Sequence, residues 1–315
     1  LVAQQRARRE QSIPGHGHSL AMHAACAGMS PLARLHHELS GLAGVSTLRQ
    51  LDNALNTESE LESFAGNLEA LFARIRESNW EALVVAEPGA AETVAQEACA
   101  SWNALSKRDV SALELGQLRE TVRECWVVNS QVSFCAKAYA TVPSSHTDAA
   151  ALTVLAGYLR NGFLHRAIRE QGGAYGGGAS HDASIAAFRF YSYRDPRIAG
   201  TLDDFDASLL WLRDGKHSAA GLEEAILGVI GTLDKPGSPA GEAKQDFHNR
   251  RFGRDHERRM AFRRRILEVT FDDLQRVAQT YLRPDQASIA VVTGPAGKDQ
   301  ASQAIADMQL ALREL

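Results

Sequence analysis

Apolar residues recur at helical spacing through residues 60–75, where Leu61, Phe64, Leu68, Leu71, Phe72 and Ile75 fall on one face. After a polar break at Asn79 the period changes. The run EALVVAE, residues 81–87, reads as a compact strand stopped by Pro88-Gly89, and the chain then returns to helical spacing through 89–105. From Ser106 to about residue 120 it is polar without a period, which predicts a linker. Residues 1–120 are thus expected to be mainly helical with one clear strand.

Beyond that point Val132, Phe134, Ala136 and Ala138 alternate with other neighbours, as in a half-buried strand. Ser145 and Asp148 have capping-box spacing before a helix whose apolar face is Leu152, Leu155, Ala156, Leu159, Phe163 and Ile168. A glycine-rich loop follows, and after it a strand with Ala186, Phe188 and Phe190 on one face and Arg189, Tyr191 and Tyr193 on the other. Helices are expected at 201–215 and 221–234, the second with a core stripe of Leu222, Ala225, Ile226, Val229, Ile230 and Leu233, ended by the Pro/Gly break DKPGSPAG. A long Arg-rich helix, a shorter one capped by Thr270 and Asp273, and a strand at 287–294 complete the chain. The class is α/β (α+β). Two domains are expected: 1–120, the C-terminal part of an incomplete helix-rich α/β domain, and 121–315, a complete C-terminal α/β domain.

Composition narrows this little. The 315 residues suggest about two domains, and 44% hydrophobic with 23% charged is ordinary globular usage. The net charge of -4 gives no reason to expect a nucleic-acid or membrane partner. No apolar run has the length of a membrane span or of a signal peptide. The four cysteines, Cys26, Cys99, Cys125 and Cys135, have no C-x-x-C spacing and fit a reducing compartment, with the cytoplasm as default and an organelle if the source is eukaryotic.

Chemistry centres on REQGGAYGGGAS, residues 169–180, where Gly172, Gly173, Gly176, Gly177 and Gly178 surround the single Tyr175. A phosphate cradle is ruled out by order: such loops run from strand to helix N-terminus, whereas this one leaves a helix C-terminus, the electronegative end. A helix cap with a packed aromatic remains open. So does a functional corner in which Arg169 and the Tyr175 phenol converge, with the flanking glycines admitting an extended peptide to a sheet edge.

Other candidates are weaker. His16, His18, His36 and His37 have no zinc spacing, and neither H-E-x-x-H nor H-x-x-E-H occurs. His36 and His37, being adjacent, are expected in solvent-facing or capping roles. Residues 250–265 carry eight arginines, but Asp255 and Glu257 interrupt them and few aromatics interleave, so a solvated helix face is expected. Ser180, His181 and Asp182 are consecutive and cannot form a nucleophilic relay on a strand.

The segments LRNGFLHRAIREQGGAYGGGAS, FRFYSYRDPR, TLDDFDASLLWL, EEAILGVIGTLDKPGSPAGEA and FRRRILEVTFDDL resemble the C-terminal half of the presequence-protease branch of the insulinase/pitrilysin metallopeptidases. The resemblance runs from about Trp126 to Gly294, and residues 1–120 resemble the end of the preceding domain. It implies two bowl-shaped halves, each of two related α/β domains with a mixed, largely antiparallel sheet, that close around a peptide. It also implies zinc in the N-terminal half, on H-x-x-E-H and a distal glutamate, and none in this chain. From R-E-x-G-G-A-Y the resemblance implies catalytic roles for Arg169 and Tyr175, with Gly172, Gly173, Ala174 and Gly176 against the substrate. The chain, which opens on Leu1, is then expected to be a fragment of a longer protease, or a subunit whose partner holds the metal, and inactive alone. A non-catalytic scaffold is the alternative.

Overall fold

The computed structural model describes residues 1–78, 81–102 and 114–315. The expected linker lies largely outside these residues, as does Asn79. The elements in order are α1 (Val2–Cys26), α2 (Pro31–Ser40), α3 (Leu42–Ala54), α4 (Glu58–Glu77), α5 (Ala91–Trp102), β1 (Arg123–Val127), β2 (Phe134–Ala140) and α6 (Ala149–Leu159). A π-helix (Arg160–Gln171) continues α6, followed by β3 (Gly176–Asp182), β4 (Ala187–Tyr193), α7 (Ala199–Asp214), α8 (Ala219–Leu233), α9 (Pro239–Arg251), α10 (His256–Leu267) and α11 (Phe271–Tyr281). Then come β5 (Ser288–Thr293), α12 (Pro295–Gln300), α13 (Ser302–Asp307) and β6 (Ala311–Glu314).

The described residues form two compact units: residues 1–50, 115–234 and 261–315, and residues 51–114 with 235–260. This division differs from the linear boundary expected at residue 120. The reason is α1, which packs on the sheet of the later region.

In the first unit six strands form one mixed sheet in the order β3-β4-β2-β5-β1-β6. Three pairings are antiparallel, β3 with β4, β4 with β2 and β2 with β5, and β1 lies parallel to both β5 and β6. The alternation expected along β2 and β4 holds, and it builds two cores. On one face Cys135, Tyr139, Phe188, Phe190, Ile289 and Val291 meet α6, the π-helix, α7 and α11. On the other, Phe134, Ala136, Ala138, Ala187, Ala290 and Val292 meet Ile13, Leu20, Ala21, Ala24 and Ala25 of α1. Alanines on both sides let the helix lie close. At Gly17 the approach is closest, and a methyl group there would overlap the Phe134 ring.

Several elements depart from expectation. The strand expected within 125–140 is two, β1 and β2, and residues 81–87 form no strand. An isolated extended run has no ladder to join, and among the described residues of the second unit there is no sheet. The described residues therefore hold one sheet, with none from the region expected to form the first domain. The apolar stripe of α4 faces solvent, with Leu61, Leu68, Leu71, Phe72 and Ile75 all at least half exposed. Ser145 does not cap α6. Asp148 precedes that helix without a capping bond and instead takes a hydrogen bond from the Tyr281 hydroxyl (2.8 Å) and an ion pair from Arg276 (2.8 Å). The long Arg-rich helix is broken between α9 and α10 near Gly253, whose φ is +63°. The capping box of Thr270 and Asp273 is present as expected.

Helix propensity and packing make opposite demands at the two glycines of α1. Gly15→Ala, which enters open space, is expected to raise stability by up to about 1 kcal/mol. Gly17→Ala is expected to lower it by about 1–3 kcal/mol through overpacking against Phe134. Denaturant unfolding of the two variants checks the sign of each change.

Candidate functional site

The π-helix begins where the apolar spacing of α6 lengthens. Leu159 to Leu164 and Phe163 to Ile168 are both steps of five, matching an i to i+5 ladder. Arg169 stands in its last turn, and the backbone then turns a corner fixed by four hydrogen bonds. The Gly172 and Gly173 amides donate to the Arg169 carbonyl, the latter at 3.2 Å, and Ala174 N–H donates to Ile168 O at 3.1 Å. Tyr175 N–H donates to Arg194 O at 3.3 Å, which ties the corner to the end of β4.

The glycines have separate reasons. Gly173 has a φ of +79°, the left-handed region where a side chain is strained. Gly172 is buried under the Arg197 guanidinium, and a Cβ there would overlap it. Arg197 is held in turn by Asp204 at 2.8 Å. Ala174 is buried in the core, so its side chain offers nothing to a ligand, and Gly176 faces open space. A Cβ on Gly177 would lie 2.8 Å from Ile168 Cγ2, so the π-helix packs directly on β3. β3 is an edge strand, paired with β4 alone. The sequence pattern reads these glycines as loop, and β3 escapes it because they have little strand propensity.

Arg169 is exposed and Tyr175 is 67% exposed. Among the described residues neither the guanidinium nor the phenol has an ion pair or side-chain hydrogen bond. Both reactive heads are thus uncommitted while their backbones are pinned. The Tyr175 ring meets the Tyr193 ring edge to face at 5.6 Å. Tyr193, Arg194 and Arg197, which shape the corner, are not singled out by the sequence as site residues. Their signal is the strand alternation that puts Tyr193 opposite Phe190, but the pairing with β3 is needed to use it.

The remaining candidates separate. His181 turns toward α6, where it lies 3.2 Å from Thr153 Oγ1, while Asp182 pairs with Arg189 at 3.1 Å, so the consecutive trio forms no relay. His36 is exposed, whereas His37 is buried against Trp126, not solvent-facing as expected. A helix packed on a sheet buries one of two adjacent residues. No group of three or more His, Cys, Asp or Glu side chains among the described residues is placed to hold a metal ion. The chain's described residues do not fit a zinc site.

The fold is that of an α/β peptidase domain: a protease from Helicobacter pylori superimposes with a TM-score of 0.51 over 64% of this chain and 52% of that one, at 15% identity. A family model described as the PreP C-terminal domain matches residues 123–293, and one described as peptidase associated, for subfamily C of the pitrilysin-type peptidases, matches residues 1–51. The chain belongs to the presequence-protease family. The mitochondrial presequence protease of Yarrowia lipolytica is 33% identical over 301 residues, covering 94% of this chain and 30% of its own length. That of Saccharomyces cerevisiae is 39% identical over 166 residues, 52% of this chain and 16% of its own length. The chain thus spans less than a third of these relatives. Among the described residues no helix is long and apolar enough to cross a membrane.

Burial pushes the His181 imidazole down to about 4. The folded chain keeps it neutral to near that pH, while the unfolded chain protonates it near 6.5. Acid therefore favours the unfolded chain, and stability is expected to fall by up to about 3 kcal/mol as pH drops from 6.5 to 4. His181→Gln should flatten that part of the pH–stability curve. An unchanged slope would remove His181 as its source.

Proposed function

We propose that this chain is the substrate-contacting C-terminal part of a zinc metalloendopeptidase that degrades unstructured peptides in a closed chamber. The observation that carries the reading is the corner itself, which presents an unpaired guanidinium and an unpaired phenol from one rigid turn beside an open sheet edge. A peptide lying along β3 gains main-chain hydrogen bonds, and Gly176 leaves room for its backbone. Arg169 and Tyr175 then donate to the carbonyl oxygen as negative charge develops on it. A tyrosine is a neutral donor well above pH 7, and arginine is a permanent cation.

Zinc, when bound by the N-terminal half of the same protein or by a partner subunit, supplies water activation, which neither Arg169 nor Tyr175 can do. The partners are accordingly a peptide substrate and a zinc-bearing half, with no nucleic acid and no membrane. An organellar compartment fits the names of the relatives better than the cytoplasm. The expected domains, 1–120 and 121–315, are retained here as evolutionary segments; they do not coincide with the compact units.

The chain alone is expected to show no peptidase activity. In the complete protease Tyr175→Phe should lower kcat by about 10²- to 10³-fold with little change in KM, as loss of an oxyanion donor does. Arg169→Lys should restore only part of what Arg169→Ala loses, because an ammonium lacks the planar fork. Steady-state kinetics decide between this reading and its alternative: wild-type kcat in Tyr175→Phe would favour a non-catalytic scaffold.

A further inference from the structure

An exposed tyrosine on a glycine-flanked turn has every reason to sample several rotamers, and ordering it costs conformational entropy. The Tyr175 ring is nevertheless braced. Its edge-to-face contact with Tyr193, centroids 5.6 Å apart and planes at 83°, has the geometry that aromatic quadrupoles favour. Tyr193 is itself held from three sides. His18 of α1 meets it edge to face at 4.9 Å, Phe134 of β2 lies at 5.9 Å, and the Arg194 guanidinium sits 5.4 Å from its centroid. His18 is anchored because it lies one residue beyond Gly17, at the point where α1 comes closest to the sheet. Its Nδ1 is buried with no hydrogen-bond partner, so no polar contact made by that atom accounts for the ring's place there. What His18 does offer is a flat face to Tyr193 and, at 6.0 Å, to Tyr191.

We propose that Tyr193 and His18 are positioning residues for Tyr175: a row of three rings, from α1 through the end of β4, that fixes the orientation of the tyrosine at the candidate active corner. The role in turnover rests on the reading of Tyr175 given above; the bracing itself does not. The row joins residues 18, 175 and 193, so the N-terminal helix contributes to the corner although it makes none of the corner's backbone hydrogen bonds. The useful feature of Tyr193 is its ring and not its hydroxyl, which predicts an unusual pattern of tolerance. Tyr193→Phe keeps the brace and Tyr193→Leu removes it. His18→Phe keeps it and His18→Ala removes it.

The test reads Tyr175 directly. In the 315-residue chain labelled with ¹³C-tyrosine, the Tyr175 ring signals, assigned by their loss in Tyr175→Phe, should carry a ring-current shift. They should move toward the values of an unstructured tyrosine in Tyr193→Leu and in His18→Ala, and stay in place in Tyr193→Phe. In the complete protease the same two disruptive variants should lower kcat by roughly threefold to tenfold at constant KM, the scale of one aromatic contact, with Tyr193→Phe near wild type. A purely structural role would lower the melting temperature while leaving the Tyr175 signals and kcat unchanged. Unmoved Tyr175 signals in Tyr193→Leu and His18→Ala overturn the proposal. Should Tyr193→Leu fail to fold, His18→Ala, which leaves Tyr193 and Phe134 in place, decides it. Signals that move as expected while Tyr175→Phe keeps wild-type kcat would uphold the brace and reject the catalytic reading of Tyr175.

Discussion

The close seating of α1 on the small-residue face of the sheet is the constraint on which the rest depends. A helix approaches a sheet this closely only where both surfaces are nearly bare, and here Gly17, Ala21, Ala24 and Ala25 face Ala136, Ala138, Ala187 and Ala290. Dispersion falls steeply with separation, so such an interface is specific out of proportion to the size of its side chains. With α1 in place, β2 and β4 are covered on both faces and the β4 register is fixed by which residues are small. That register delivers Tyr193 to one face and Phe190 to the other. It also sets where β3 can pair, and hence where the corner stands.

The parts of the fold legible in the sequence were those whose pattern is local. β4, β5, α7, α8 and the Thr270 cap follow from alternation, apolar stripes and a capping box, each readable in a dozen residues. The parts that were hidden need a partner. β3 is a strand because β4 lies beside it and Ile168 presses on Gly177, and nothing in GGGASHD announces that. EALVVAE has the composition of a strand, and composition is not a ladder. The packing of α1 spans more than a hundred residues of sequence, which no periodicity reports. Arg169 and Tyr175 were legible only as a pair of chemically suitable residues near glycines. Their pinned backbones and uncommitted heads are properties of the corner.

The glycines of this segment show how one sequence feature answers several physical demands. Gly173 supplies a positive φ, Gly172 gives way to Arg197, Gly177 admits Ile168, and Gly176 leaves the edge open. Only the last of these is available to a ligand. A glycine count therefore overstates the binding surface, and Ala174, buried in the core, shows that a residue inside a recognisable motif can serve the scaffold.

The electrostatics of the corner also bear on the division of labour proposed for the protease. Arg169 sits in the last turn of a helix whose unsatisfied carbonyls make that end electronegative. That field stabilises the guanidinium and opposes any anion brought to it, so the helix itself contributes nothing to holding a developing oxyanion. The burden falls on the two side chains at the helix end, one cationic and one neutral. A single exposed arginine is a weak anion site in water, where its charge is screened. It becomes a strong one only when a second surface closes over it and excludes solvent. The chemistry assigned to this chain is thus conditional on enclosure, and the exposure of both Arg169 and Tyr175 is what an open half of a closing chamber requires.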